Sequence, residues 1–563
     1  MAEGDQLNFL RRHPLITVFS TALVLRGAFA LFYLSSPFRF YHTLPGLDME
    51  TLLRFGEWGT PGNSFFFTLH RLQVFLFWKL NNGLHPVMWH VLWQSFLGAA
   101  GAAMLTAAAL KLTGKRYIAL IAGILWALNP VELMYEFTTL QDSLVNFGII
   151  LTIFAFLEAR KRHFFPLYAL AAGAAAGVAA TGRPVAIGLV FTLGMWNLYY
   201  LYRRKLPLKR VLFFAGGVLL VWGLFAGVNG VVSKRFNCFF NPVAYAVSVN
   251  TVPAAASNVP APAPSFSLPP LVKTVFKMVL RTPRLLSPEE IPENLNIHFL
   301  RTKIPFFRTP YEFIPPGAAA ALLFLLLTGR WKKKEGFLLL PVLSLALFLC
   351  IREPIGRYRL LLLPWFTLLT VCFFSYFIEK RKGICLFPVA AMLLFFLTAL
   401  YVPPIRGADH FAWALALEKE AGKTTPEAMK EFKKAFLRKP DNNHAVSLIT
   451  RAMTANDRTL AEETARQWMA SSGNAPLACY YAGLAAFPDR TKMAHFFSLV
   501  KEEQLPQKLR FRYFLMQGDI NYHKGRFTEA ARFYKSALQL PEGSSAQRSH
   551  AVQMIKKLEK KND

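Results

Sequence analysis

The sequence predicts an all-α protein in two parts, a polytopic membrane region of about eleven transmembrane helices and a C-terminal α-solenoid outside the membrane. Three observations carry that prediction. Apolar residues make up 54% of the 563-residue chain and charged residues only 17%, where a soluble domain carries about 25% charge. Long apolar stretches recur through the first two thirds of the sequence, with basic residues at every second connection. From residue 403 the chain turns to charged, amphipathic helices with a self-similar spacing near 34 residues.

A helix needs about 20 apolar residues to cross the hydrocarbon core. Stretches of that length, or nearly so, run over 14–36, 86–112, 116–135, 138–158, 164–182, 184–202, 210–233, 313–330, 335–352, 360–379 and 384–402. Connections rich in Lys and Arg stay cytoplasmic. Arg11 and Arg12, Lys115 and Arg116, Arg160 to Arg162, Arg203 to Arg210, Arg330 to Lys334 and Lys380 to Lys382 fall at alternate connections without exception. The N-terminus is therefore expected in the cytoplasm and the C-terminal region outside. The first span has a signal-like basic flank, but its apolar run is too long and carries Arg26 at mid-depth, so it reads as an uncleaved anchor.

The same bias accounts for the formal charge of +31, from 64 Lys plus Arg against 33 Asp plus Glu. Cytoplasmic loops facing anionic lipid explain it, and no nucleic acid partner is expected. Five cysteines without a CxxC pair exclude a disulfide framework and a cysteine zinc cluster as organising principles.

The membrane domain is expected over 1–402, with external loops at 37–85 and 234–312, and the repeat domain over 403–563. The second loop holds a Pro/Ala/Ser stretch, 252–270, that cannot pack a core, followed by a short basic helix near 271–281. In GDINYHKGRFTEAARFYKSALQLP, Gly518, Gly525, Phe527, Ala530, Tyr534, Ala537 and Pro541 sit where a tetratricopeptide repeat needs small residues, an aromatic and a terminal breaker. This unit resembles that family, and Ala428, Phe432, Ala435 and Pro440 mark a weaker copy.

The outward segments hold the candidate chemistry. Asp48 and Glu50 stand two apart in PGLDMETLLRFGEW, a spacing that suits a general base, a shared metal or a merely solubilising pair. His70 and Arg71 follow in the same loop. Asp142, in LQDSL, lies about one turn inside the fourth span, where an ionisable group is costly and faces a cavity or snorkels to the interface. Glu136 precedes it as a substrate contact or an interfacial acid. Arg183 in ATGRP, and Arg357 with Arg359 in GRYRLLLLPW, begin the outward ends of two spans against the positive-inside trend. Forked guanidinium groups at one depth suit a phosphate.

An acidic residue in the first external loop, an apolar helix in that loop (SFFFTLHRLQVFLFWKLNNG), YEFTTLQDSL, the GRP turn and GRYRLLLLPW occur in this order. That order resembles the GT-C polyprenyl-phosphate-sugar glycosyltransferases, in the protein O-mannosyltransferase and aminoarabinose transferase-like branch, in a bacterial form with C-terminal tetratricopeptide repeats. The resemblance covers roughly residues 10 to 400 and implies a multi-pass enzyme of the cytoplasmic membrane. It implies further that Asp48 is the catalytic acid of the first loop, that Arg183, Arg357 and Arg359 hold the donor phosphate, and that Asp142 is a second acid at the site mouth. The donor would be a polyprenyl-phosphate-linked sugar, and the acceptor a lipid, glycan or protein. Met49 separates Asp48 from Glu50 where the family has adjacent acids, which leaves the role of Glu50 and of any divalent metal open. Two other readings stand beside this one: a transporter or assembly scaffold with partner-binding repeats, and a glycan ligase or polymerase using a diphosphate-linked donor.

Overall fold

The structure, a computed structural model, describes residues 13–45, 47, 49, 73–74, 76–77, 86–159, 165–233, 295–308, 313–327, 337–352, 359–379, 405–473 and 475–562. The expected span 384–402, the Pro/Ala/Ser stretch 252–270 and the basic helix 271–281 lie outside them. Every described regular element is helical, and the chain divides into two compact units, Met1–Ile405 and Arg406–Asp563.

In the first unit α1 spans Pro14–Leu34, α2 Pro86–Thr113, α3 Arg116–Ala127 and α4 Pro130–Glu136. Next come α5 over Asp142–Glu158, α6 over Phe165–Gly182, α7 over Ile187–Tyr202 and α8 over Leu208–Ser233. A short α9, Ile297–Lys303, precedes α10 over Ile314–Leu327, α11 over Leu339–Arg352 and α12 over Leu363–Glu379. Among the described residues five helices are long and apolar enough to cross a membrane, or six if the bent pair α3 and α4 counts as one span. Among the described residues the protein is thus all-helical, with several membrane-competent helices.

Two departures from the expected spans have local causes. The stretch 116–135, expected to be one helix, breaks at Leu128 and Asn129 and bends by 49°. Pro130 cannot donate a backbone hydrogen bond and pushes the preceding residue out of the helical region. Asn129 takes φ −66° and ψ 112°, and its side chain caps the new helix through Val131 N and Glu132 N. The fourth span starts at Asp142 instead of 138, so Asp142 is the first residue of α5 and not one turn inside it. There its carboxylate sits at the positive end of the helix dipole.

Small residues bring backbones together in this unit. A Cβ on Gly173 of α6 would stand 2.0 Å from Phe214 O of α8, and one on Gly217 would stand 2.1 Å from Leu170 O. In a bundle of this kind, such close contact replaces the hydrophobic drive that water supplies elsewhere.

In the second unit α13 spans Gly407–Ala421, α14 Pro426–Arg438, α15 Asn442–Thr454, α16 Arg458–Ser472, α17 Pro476–Ala485 and α18 Arg490–Ser498. The last three are α19, Gln507–His523, α20, Phe527–Leu538, and α21, Ser545–Asn562. Each packs chiefly on its neighbours in sequence. Local caps set the boundaries: Thr425, Asp441, Asp457 and Asp489 each accept a first-turn backbone N–H, and Gly422 and Gly473 end helices in the left-handed conformation. Ala428, Phe432 and Ala435 are buried between α13, α14 and α15, and Ala530, Tyr534 and Ala537 are buried between α19, α20 and α21. Gly518 faces the Tyr534 ring, where a Cβ would come within 2.6 Å.

Candidate functional site

The site is built on the turn 137–141, between α4 and α5, because three separate hydrogen bonds fasten it. Gln94 of α2 donates through Nε2 to Leu140 O at 3.0 Å, and Gln141 Nε2 donates to Gly182 O at the end of α6 at 2.6 Å. Thr139 Oγ1 donates to Met49 O at 3.2 Å. Met49 is fully buried. Met49 is therefore tied to the turn that leads into α5. Before it, the helical turn Pro37–Thr43 buries His42, and burial pulls its imidazole down to about 3, so it stays neutral beside the Tyr33 hydroxyl.

At the end of this turn the structure joins two residues that sequence reasoning treated separately. Arg183 donates through Nε at 3.0 Å and through Nη2 at 2.7 Å to Asp142 Oδ1, and through Nη2 at 2.8 Å to Oδ2. Both residues are buried. Arg183 adopts an extended conformation, φ −135° and ψ 107°, ahead of the 3₁₀ turn Pro184–Ala186, which aims the side chain back across the end of α6. The fork geometry of Arg against a carboxylate fixes both side chains.

Arg359 is also buried, at the head of the 3₁₀ turn Leu360–Leu362, and that turn packs against α5. Arg357, Asp48, Glu50, His70 and Arg71 lie outside the described residues. Of the expected site residues, then, Asp142 and Arg183 meet directly, and the turn headed by Arg359 rests on the helix that Asp142 begins.

Glu136 has a different partner. Arg26 of α1 donates to it through Nε at 2.7 Å and Nη2 at 2.6 Å, and both side chains have no exposed surface. Arg26 Nη1 also reaches Ala127 O at 3.4 Å, the last residue of α3. One guanidinium thus spans the break between α3 and α4. Gly98 of α2 makes room for the pair, since a Cβ there would stand 1.8 Å from Glu136 Oε1.

Sequence reasoning missed a third carboxylate. Glu132, one turn before Glu136 on α4, is buried and accepts from Asn146 Nδ2 at 2.6 Å and from Ser143 Oγ at 3.5 Å, both on α5. Two signals were available: Glu132 and Glu136 at i and i+4 share a helix face, and Ser143 and Asn146 at i and i+3 share another. What the sequence did not carry is that the Asn129–Pro130 break turns the first face towards the second.

Below the charged end, an apolar groove of about 480 Å³ runs between α2, α5 and α6. Leu144, Phe147, Gly148 and Leu151 of α5 line it, with Trp93 and Leu97 of α2 and Val178 of α6. Among the described residues no group of three or more His, Cys, Asp or Glu side chains is arranged to hold a metal ion. Comparison of the chain with protein families, with characterised proteins and with solved structures gives no match.

Proposed function

We propose that the protein is a membrane glycosyltransferase that moves a sugar from a polyprenyl-phosphate donor to an acceptor at the outer face of the cytoplasmic membrane, with its C-terminal helices acting as a tetratricopeptide-like solenoid that recruits the acceptor or a partner. The observation that carries this reading is the Asp142–Arg183 pair at the start of the helix that walls an apolar groove, with Met49 bonded to Thr139 in the turn before that helix. Met49 is the residue between Asp48 and Glu50, and α5 bears both Asp142 at its start and four residues of the groove wall. An amphiphile with an anionic head and a long hydrocarbon chain has the chemistry to fill such a site.

In this reading the donor chain occupies the groove and the arginines at the outward helix ends neutralise its phosphate. Asp142 holds Arg183 in a fixed orientation. Asp48 takes the proton of the acceptor hydroxyl or amine as that group attacks the anomeric carbon, and the phosphate departs as an anion stabilised by charge. The buried Glu132 and Glu136 favour a second reading, a transporter whose intramembrane carboxyls line a conduction path.

The test is lipid extracted with the purified protein and identified by mass spectrometry, followed by a transfer assay with the labelled lipid. A polyprenyl-phosphate sugar should co-purify, and Asp48→Asn should keep donor binding while transfer drops by a factor of about 10² or more. No bound lipid-phosphate and no transfer, with substrate flux into proteoliposomes instead, would establish the transporter.

A further inference from the structure

The second unit carries a groove of about 340 Å³ between the start of α18, the second half of α19 and the C-terminal helix α21. Its floor is apolar: Met493 and Ile520 are buried, and Met516 and Met554 are half-buried beside them. Methionine side chains are flexible and polarizable, so a floor with three of them accepts apolar groups of differing shape. Phe487 stands at the edge, 54% exposed.

The charges around this floor are unbalanced. Asp519, the single carboxylate of the lining, is already engaged: Tyr534 donates its hydroxyl to Oδ1 at 2.6 Å, and His550 Nε2 lies 3.0 Å from the same oxygen. Arg490 and Lys557 are exposed, and among the described residues neither has a carboxylate within ion-pair distance. The Lys557 ammonium lies 5.4 Å from the Tyr522 ring centre, on the groove wall. An apolar floor between a satisfied carboxylate and two exposed cations that lack a carboxylate partner among the described residues is complementary to an acidic ligand with an apolar anchor.

We infer that this groove binds an acidic peptide segment, an apolar side chain seated among Met493, Met516 and Met554 and carboxylates flanking it on Arg490 and Lys557. The inference rests on the proposal that the C-terminal helices recruit a partner, and it gives that partner a chemistry.

The experiment uses the full-length protein in detergent and a short fluorescein-labelled peptide with one Leu between runs of Glu. Anisotropy should show saturable binding, and replacing the Leu by Ser, or the Glu residues by Lys, should weaken it by about tenfold or more. Arg490→Glu combined with Lys557→Glu, both at exposed positions, should abolish binding of the acidic peptide and admit the Lys-flanked one. Equal binding of acidic and basic peptides, no effect of the charge reversal, or binding to phosphatidylglycerol vesicles in place of the peptide would overturn the inference. Sugar transfer to a small soluble acceptor, measured on the same double variant, separates the two claims: its retention with peptide binding lost leaves the glycosyltransferase standing, and its absence in the wild-type protein bears on that reading alone.

Discussion

The two units use the same chemical contact, an arginine forked onto a carboxylate, under opposite conditions. In the first, Arg26 and Glu136 meet with no exposed surface on either side chain. In the second, Arg451 donates at 2.6 Å through both Nε and Nη2 to the two oxygens of Glu418, with side-chain exposures of 23% and 17%. The bond lengths are nearly equal, and the energetic consequences are not. Burial removes water from both members of the first pair, so losing one partner leaves an ion with no alternative solvation. The second pair keeps contact with water, which replaces a lost partner at little cost. The comparison teaches that in this chain the surroundings of an ion pair, more than its geometry, set what it contributes.

The largest expected effect tests that contrast directly. Glu136→Gln leaves Arg26 buried without a counter-ion and should destabilise the first unit by about 3–5 kcal/mol, read as a fall in the detergent thermal unfolding temperature. The double replacement Arg26→Met with Glu136→Met should recover most of that loss, because apolar side chains of similar volume need no solvation. A single variant as stable as wild type would mean that water reaches the pair.

Steric crowding comes next, and it should act in both units alike. Gly98→Ala forces a Cβ onto Glu136 and Gly518→Ala forces one onto the buried Tyr534 ring, each expected to cost about 1–3 kcal/mol. Unfolding of the two variants followed by tryptophan fluorescence would show whether the damage stays within the unit that carries the change.

Glu418→Gln should cost only about 1 kcal/mol or less. Its signature is pH. Burial alone would raise the Glu418 carboxyl, but hydrogen bonds from Arg451 and Thr424 outweigh it and hold the carboxyl below its ordinary value. A carboxyl depressed in the folded state stabilises at pH above its unfolded value of about 4.3 and loses that contribution as pH falls through the folded one. The stability difference between wild type and Glu418→Gln should therefore shrink on acidification below about pH 4, and a difference that grows there would refute the assignment.

Smallest of all, Arg466→Ala removes an exposed i,i+4 contact at 3.4 Å to Glu462 and should change stability by less than about 0.5 kcal/mol. A larger loss would mean that surface charges in the second unit act as a network.

Much of this was legible in the sequence for a plain reason: an apolar helix and an amphipathic one both announce themselves through local composition. The apolar runs expected to start at residues 14, 86, 164 and 210 become helices that start at 14, 86, 165 and 208. Ala530, Tyr534 and Ala537 fall on one face of α20 by the helix period, while the packing role of Gly518 on α19 is an expectation from the tetratricopeptide resemblance. Asp142 and Arg183 drew attention as ionisable groups at apolar helix ends. Polarity in an apolar setting needs no fold to be noticed.

What the tertiary structure alone decided is who meets whom. Glu136 reads as a neighbour of Asp142 in sequence, yet it binds Arg26, 110 residues away, while Asp142 takes Arg183 from 41 residues away. Glu132 passes for one more polar residue near a helix end until the Asn129–Pro130 break turns α4 towards Ser143 and Asn146. Met49 meets Thr139 from 90 residues away, a contact that no local pattern announces. Composition and period are sums over near neighbours along the chain, so they specify each helix and the face it presents. Pairing across helices depends on a bend of 49° and on approaches that only a missing Cβ permits, and those are properties of the packed bundle.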